Sequence, residues 1–174
     1  IDYFIDYGTL LGFIRDQGFI PHDFDIDLGV LHWEQGDLKR IESGMQRYGL
    51  KKMHEFILDG TVVEQTFTRN GVRVDLFYYF HSEDSSYAHS FYKLPDAEYS
   101  SIDEFTAFRF VYSRIIGTEK RDLNGIKISI PTNYEVLLSE KYGENWRIPD
   151  KYWKYWQSPS IHRLESSGIL HKVT

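Results

Sequence analysis

The sequence predicts an α/β domain in which a small mixed β-sheet carries helices packed against it, and three observations lead there. A strand of alternating apolar and acidic residues follows a helix entered through glycine, between Gly8 and Val30. Three further strand-like runs are joined by Asp59-Gly60 and Asn70-Gly71, dipeptides that favour two-residue hairpin turns. Two stretches with helix signals, 34–48 and 134–142, end at glycine. At 174 residues the chain fits one such domain, with 1–150 as its body and 151–174 as an aromatic tail packed on it.

Taken in order, Tyr3 to Tyr7 reads as a short strand ending at Gly8, and Thr9 to Asp16 as a helix of two turns stopped by Gly18. A helix entered through glycine offers free backbone amides and the positive end of its dipole, which suit a phosphate. The acidic strand comes next. Phe24, Ile26, Leu28 and Val30 alternate with Asp23, Asp25 and Asp27, so one face is apolar and the other acidic. The helix over Glu34 to Tyr48 places Leu38, Ile41 and Met45 on one side, to pack on the sheet.

Lys51 to Leu58, Thr61 to Thr68 and Val72 to Phe80 read as an antiparallel continuation of the sheet. Ser82 to Thr118 is rich in aromatic and polar residues without a clear period, and is expected to cover the sheet and shape a pocket. Asn124-Gly125 is another turn, leading into a strand over Lys127 to Ile130. Pro131 and Thr132 introduce the helix Tyr134 to Tyr142, capped by Thr132 or Asn133 and stopped by Gly143. The tail carries Trp153, Tyr155 and Trp156, read either as a helix packing its rings inward or as an exposed patch for a membrane or partner.

The chemistry concentrates at the acids. Same-face neighbours on a strand lie roughly 6.6 Å apart, so Asp25 and Asp27 can close on one cation, and an uncompensated acidic row repels itself. Hard oxygen ligands of this kind suit Mg²⁺ or Mn²⁺. A solvated strand edge is the bland alternative. An EF-hand is the sharper one, since Asp23, Asp25, Asp27 and Glu34 fall at its acidic positions, but Leu28 stands where that loop needs glycine. Asp75 lies in the otherwise apolar run Val72 to Phe77, where a charge needs a partner, and Arg73 on the same strand face or another base could supply it.

With Gly8-Thr9-Leu10-Leu11-Gly12 ahead of it, the acidic strand resembles the nucleotidyltransferase superfamily. The run from Asp6 to Val30, with Arg15, Gly18 and Ile20-Pro21-His22-Asp23-Phe24-Asp25-Ile26-Asp27, resembles the LicD/fukutin family at matching order and spacing. His22 stands where that family usually has Trp. The segment 131–150, with Tyr142-Gly143 and Trp146 before Pro149, resembles the end of the family domain, so the likeness covers roughly 3–80 and 131–150.

The resemblance implies a nucleotidyltransferase-like fold and a set of roles. Asp25, Asp27 and Asp75 would be catalytic and hold one or two Mg²⁺ or Mn²⁺ ions. Gly8, Thr9, Arg15, His22 and Asp23 would face the substrate. The implied reaction moves a phospho-alcohol (phosphocholine, ribitol phosphate or glycerol phosphate) from a CDP-activated donor to a glycan hydroxyl and releases CMP. Two alternatives use the same residues. One is a nucleotidyltransferase that moves a nucleoside monophosphate from a triphosphate to a small molecule or sugar phosphate; the other is an inactive nucleotide- or glycan-binding module.

Composition narrows the partners. A net charge of −6 with scattered Lys and Arg argues against nucleic acid. Cysteine is absent, which excludes disulfides and thiolate zinc sites. No run approaches the about 20 apolar residues of a membrane span. The expected location is cytoplasmic, with peripheral association at the inner membrane face. The chain starts at Ile1, on a strand-like segment, and so reads as a fragment, which leaves a targeting or anchoring segment upstream open.

Overall fold

The computed structural model describes residues 1–173. It holds eleven strands and three helices, and the mixed-sheet α/β expectation holds. In chain order these are β1 (Asp2–Ile5), α1 (Tyr7–Arg15), β2 (Asp25–Leu31), α2 (Leu38–Arg47), β3 (Lys51–Leu58), β4 (Thr61–Arg69), β5 (Val72–Tyr78), β6 (Phe80–His81), β7 (Ser85–Tyr92) and β8 (Glu104–Ser113). After them come β9 (Thr118–Leu123), β10 (Ile126–Pro131), α3 (Tyr134–Tyr142) and β11 (Ile161–Lys172).

Nine strands form one sheet in the order β1-β2-β5-β4-β3-β11-β8-β7-β6, and β9 with β10 makes a separate hairpin. Only β2 and β5 run parallel; the other pairings are antiparallel. The hairpins form where the turn dipeptides stand. Asp59-Gly60, Asn70-Gly71 and Asn124-Gly125 all take positive φ at both residues, the backbone of the two-residue turn that matches strand twist.

Period-two alternation sorts β2 and β5. Ile26, Leu28, Val30, Val74, Leu76 and Tyr78 bury one face under Leu38, Ile41 and Met45 of α2. The opposite face therefore carries Asp25, Asp27, Arg73, Asp75 and Phe77. Leu10, Leu11 and Phe13 of α1 pack with Leu138 of α3, Ile130 of β10 and Trp146 in a second cluster. On β2, Gly29 admits the Phe4 ring: a Cβ there would stand 2.3 Å from Phe4 Cζ.

Two expectations change. The stretch 82–118 does not merely cover the sheet; it supplies β7 and β8, which extend it. Both strands are buried on both faces, so His89, Ser90 and Thr106 sit inside beside Ala88, Phe91 and Phe108, and the polar/apolar alternation is lost. The tail is not a helix. After a single 3₁₀ turn at Tyr155–Gln157, it enters the sheet as β11 between β3 and β8. Gly168 makes this possible, because a Cβ would meet the Phe91 ring at 2.1 Å. Trp153 packs on Tyr142 and Tyr155 stacks on Tyr92, while Trp156 stays exposed.

Candidate active site

The acidic end of β2 meets the start of α1. One carboxylate oxygen from each of Asp23, Asp25 and Asp27 lies within 4.8 Å of the other two. Burial first, then the carboxylates of Asp25, Asp6, Asp75 and Asp23, push the Asp27 carboxyl well above its usual range. Asp23 is pushed up to about 6 by burial and by its hydrogen bond and charge contact with Asp25. Crowding of this order calls for a counter-charge; Arg73 pairs with Asp25 and opposes the rise at Asp23, but does not offset the crowding at Asp27. Three converging hard oxygens fit Mg²⁺ or Mn²⁺.

Gly8 and Thr9 hold the acid, one through its amide and the other through its hydroxyl. The Gly8 amide donates to Asp27 Oδ2 at 3.2 Å, and the Asp27 amide donates to Thr9 Oγ1 at 2.9 Å. The absence of a side chain at Gly8 leaves room for Asp23, since a Cβ there would stand 2.1 Å from Asp23 Oδ2. Tyr7 enters the helix with φ of 37°, and its ring is held edge-on against Phe77 at 4.7 Å.

Asp75 stands directly beside Asp27 in the parallel register of β2 and β5. It does not pair with Arg73. Its Oδ1 accepts from Thr66 Oγ1 at 2.5 Å, and burial raises its pKa, which the Thr66 hydrogen bond and Arg73 oppose. It lies alongside the Asp23, Asp25 and Asp27 cluster and is not a member of it. The same register continues across the sheet from Thr66 to His54, giving a polar row Asp27, Asp75, Thr66, His54.

Arg15 is engaged elsewhere, and His22, next to Asp23 in the chain, makes no hydrogen bond or ion pair with the cluster's carboxylates among the described residues. Arg15 donates to Asp16 at 2.8 and 2.7 Å and lines a cleft of about 440 Å³ with Arg121, Trp146 and Arg147, which holds none of the three clustered acids. His22 is exposed in the turn before β2.

Four functional candidates escaped the sequence reading. Asp6, fully buried at the N-cap of α1, accepts from Tyr79 Oη at 2.7 Å and pairs at 3.0 Å with Lys141, whose side chain is 2% exposed. Burial pushes the Lys141 ammonium below its usual range, and Asp6 opposes that. The signal for Lys141 was a charged residue at helical spacing from Leu137 and Leu138, on the buried side of α3. On β4, burial and then Asp75 push the Glu64 carboxyl well above its usual range. His54 is lowered by burial, against the pull of Asp75.

A cavity of about 210 Å³ opens beside Asp27. Its walls are mainly rings, among them Tyr7, Tyr92, Tyr112, Tyr142, Trp153 and Tyr155, with Lys141 and the hydroxyls of Ser90 and Ser158. A carboxylate cluster suited to a divalent ion next to an aromatic cavity can hold a phosphate ester and its organic group together.

The model of the LicD/FKTN/FKRP nucleotidyltransferase domain matches residues 1–133. Ribitol-5-phosphate transferase FKTN from Mus musculus is 25% identical over 170 residues, 97% of this chain and 34% of its own length. An uncharacterised protein of Rickettsia typhi is 27% identical over 173 residues, 99% of this chain and 48% of its own length. Its counterpart in Rickettsia prowazekii is 28% identical, with 99% of this chain and 58% of its own length covered. The chain thus spans between about a third and three fifths of these relatives.

Proposed function

The chain belongs to the LicD/FKTN/FKRP nucleotidyltransferase-domain family, and from that premise we propose that it transfers a phospho-alcohol from a CDP-activated donor to a glycan hydroxyl, releasing CMP. The observation that carries this reading is the convergence of Asp23, Asp25 and Asp27 within 4.8 Å, inside the matched region. The name of the mouse relative, a ribitol-5-phosphate transferase, agrees with it.

In this reading Asp23, Asp25 and Asp27 hold Mg²⁺ or Mn²⁺, with Asp75 alongside. An ion held there would supply positive charge against that of the phosphate oxygens. Gly8 and Thr9 act through Asp27, fixing its carboxylate and backbone so that the cluster is preorganised. The acceptor hydroxyl oxygen attacks the phosphorus bonded to the alcohol. The bond from that phosphorus to the bridging oxygen breaks, and CMP leaves with the electron pair. Asp75 Oδ1 is engaged by Thr66, so its Oδ2 takes the hydroxyl proton, a role suited to a carboxylate whose pKa burial has raised. Arg15 and His22 touch neither the phosphate nor the cluster in this scheme. The glycan acceptor follows from the family alone.

Incubation with CDP-ribitol, CDP-glycerol and CDP-choline in Mg²⁺, with an oligosaccharide acceptor and CMP as the readout, tests the reading. Release of CMP that chelator abolishes is the expected result. Pyrophosphate from a nucleoside triphosphate in its place would make the chain a nucleotidyltransferase. Asp25→Asn, nearly isosteric, should still bind donor but release CMP about a hundredfold more slowly, the scale of one lost electrostatic stabiliser. An Asp25→Asn variant with wild-type turnover would remove the mechanism and leave a binding module.

A further inference from the structure

The cavity beside Asp27 is built like a cation cage but already contains its cation. Faces of aromatic rings attract ammonium groups, and an empty enclosure of tyrosines and a tryptophan would suit a trimethylammonium group. Here the Lys141 ammonium occupies that place. Its Nζ lies 3.8 Å from the Tyr7 ring centroid and 3.9 Å from that of Tyr112. It cannot swing out, because it donates to Tyr79 Oη at 2.9 Å and pairs with Asp6 at 3.0 Å. Lys141 is on the cavity wall and Asp6 is not, so the charge facing the cavity from this side is positive.

The remaining polar groups want hydroxyls. The Trp153 indole N–H is buried with no acceptor among the described residues, although Trp153 lines the cavity. Ser90 and Ser158, both buried, add hydroxyls that donate or accept. A polyol satisfies such groups with its oxygens while its C–H faces lie on the rings. A quaternary ammonium offers neither donor nor acceptor and would leave the indole N–H unpaired.

We propose that this cavity receives the alcohol end of the activated donor, and that Lys141 makes it selective for an uncharged polyol by excluding quaternary ammonium donors. The proposal rests on the phosphotransfer reading for the identity of the donor, since it is the phosphate held at Asp27 that would place the attached alcohol here. Asp27, the other charged group on the wall, attracts cations, but in that reading its charge is met by the divalent ion. Selectivity then comes from a like-charge contact and an unpaired donor set against the wrong ligand, both forms of discrimination by repulsion.

Isothermal titration of the chain with CDP-ribitol and CDP-choline, in Mg²⁺, reads the selectivity directly. Wild type should bind CDP-ribitol at least about tenfold more tightly than CDP-choline. Lys141→Met should close the gap to within about threefold, chiefly by gaining affinity for CDP-choline. Because Lys141→Met leaves Asp6 buried and unpaired, the double variant Asp6→Asn/Lys141→Met, with near-ultraviolet circular dichroism as a check of packing, gives the same comparison without an orphaned charge. Trp153→Phe should weaken CDP-ribitol several-fold and leave CDP-choline unchanged. Equal binding of the two donors by wild type, or a gap that survives in the folded double variant, would overturn the proposal.

CMP release, followed in the same samples, separates the two readings. Tight CDP-ribitol binding without any CMP would remove the transferase reading and leave the selective cavity. CMP from CDP-choline as fast as from CDP-ribitol would do the reverse. Failure of both donors to bind would overturn both.

Discussion

His89 on β7 sits buried edge-on against the stacked rings of Phe80 and Tyr87, and Arg109 Nε donates to its Nε2 at 3.3 Å. Burial first, and Arg109 second, lower its pKa from 6.5 to about 4. The sign follows from which state binds the proton. Between pH 6.5 and about 4 the unfolded chain is protonated there and the folded chain is not, so stability is full above 6.5 and is lost as pH falls through the window. The loss attributable to this one group is at most about 3 kcal/mol. His89→Gln keeps an acceptor for Arg109 and does not titrate, so denaturation at pH 7 and pH 4.5 should show a smaller acid loss than in wild type. An identical loss in the two proteins would mean that His89 titrates normally. At this scale, Asp25, Asp27 and Asp75 were legible because period two and an apolar setting mark them within a few residues of chain. Asp6 and Lys141 were not, since their pairing joins opposite ends of the sequence and neither stretch names its partner. Arg15 follows the turn in sequence, but seven residues of helix put it about 10 Å beyond Gly8, where it pairs with Asp16 and lines a separate cleft.

At the scale of elements, α1 and β2 work as one unit, joined by the Asp6 amide to the Asp27 carbonyl at 2.9 Å and by the Gly8 and Thr9 contacts. Gly8→Ala tests that unit. Its Cβ would fall 2.1 Å from Asp23 Oδ2, the tip of a side chain able to rotate away, so the fold should hold while the cluster loses its third carboxylate. The expected outcome is an almost unchanged melting temperature with Mn²⁺ affinity reduced by about tenfold or more, read by calorimetry. Unchanged affinity would mean that Asp23 is not a ligand. The hairpins of this half were readable because two-residue turns have a strict sequence signature. β7 and β8 were not, because strands buried on both faces carry no polar side to mark the period.

At the scale of the whole molecule, β11 is the strand that joins the two halves of the sheet. On one side of it lie β1, β2, β5, β4 and β3 with the carboxylates; on the other lie β8, β7 and β6, from which Ser90, Tyr92, Phe110 and Tyr112 line the cavity. Its sequence, Ile161 to Lys172, hid this role: His162, Arg163, Glu165, Ser166 and Ser167 break any alternation, and the register itself shifts between Arg163 and Ser167. The family model matches residues 1–133, which hold the acids, while Lys141 and β11 follow it in the stretch that the mouse and Rickettsia relatives still align with. Removing residues 161–174 should therefore do more than shorten an edge. It would leave β3 and β8 with unpaired backbone groups facing each other and would uncover Phe56 and Phe91, whose rings stack at 4.4 Å. We expect the truncated chain to lose cooperative melting and to associate on size exclusion, and a synthetic peptide of residues 161–174, added in trans, to restore the elution of the intact chain by completing the sheet. A truncated chain that melts cooperatively near the wild-type temperature would show that the two halves hold together through side-chain packing alone, and that the continuous sheet is not what fixes the cavity against the carboxylates.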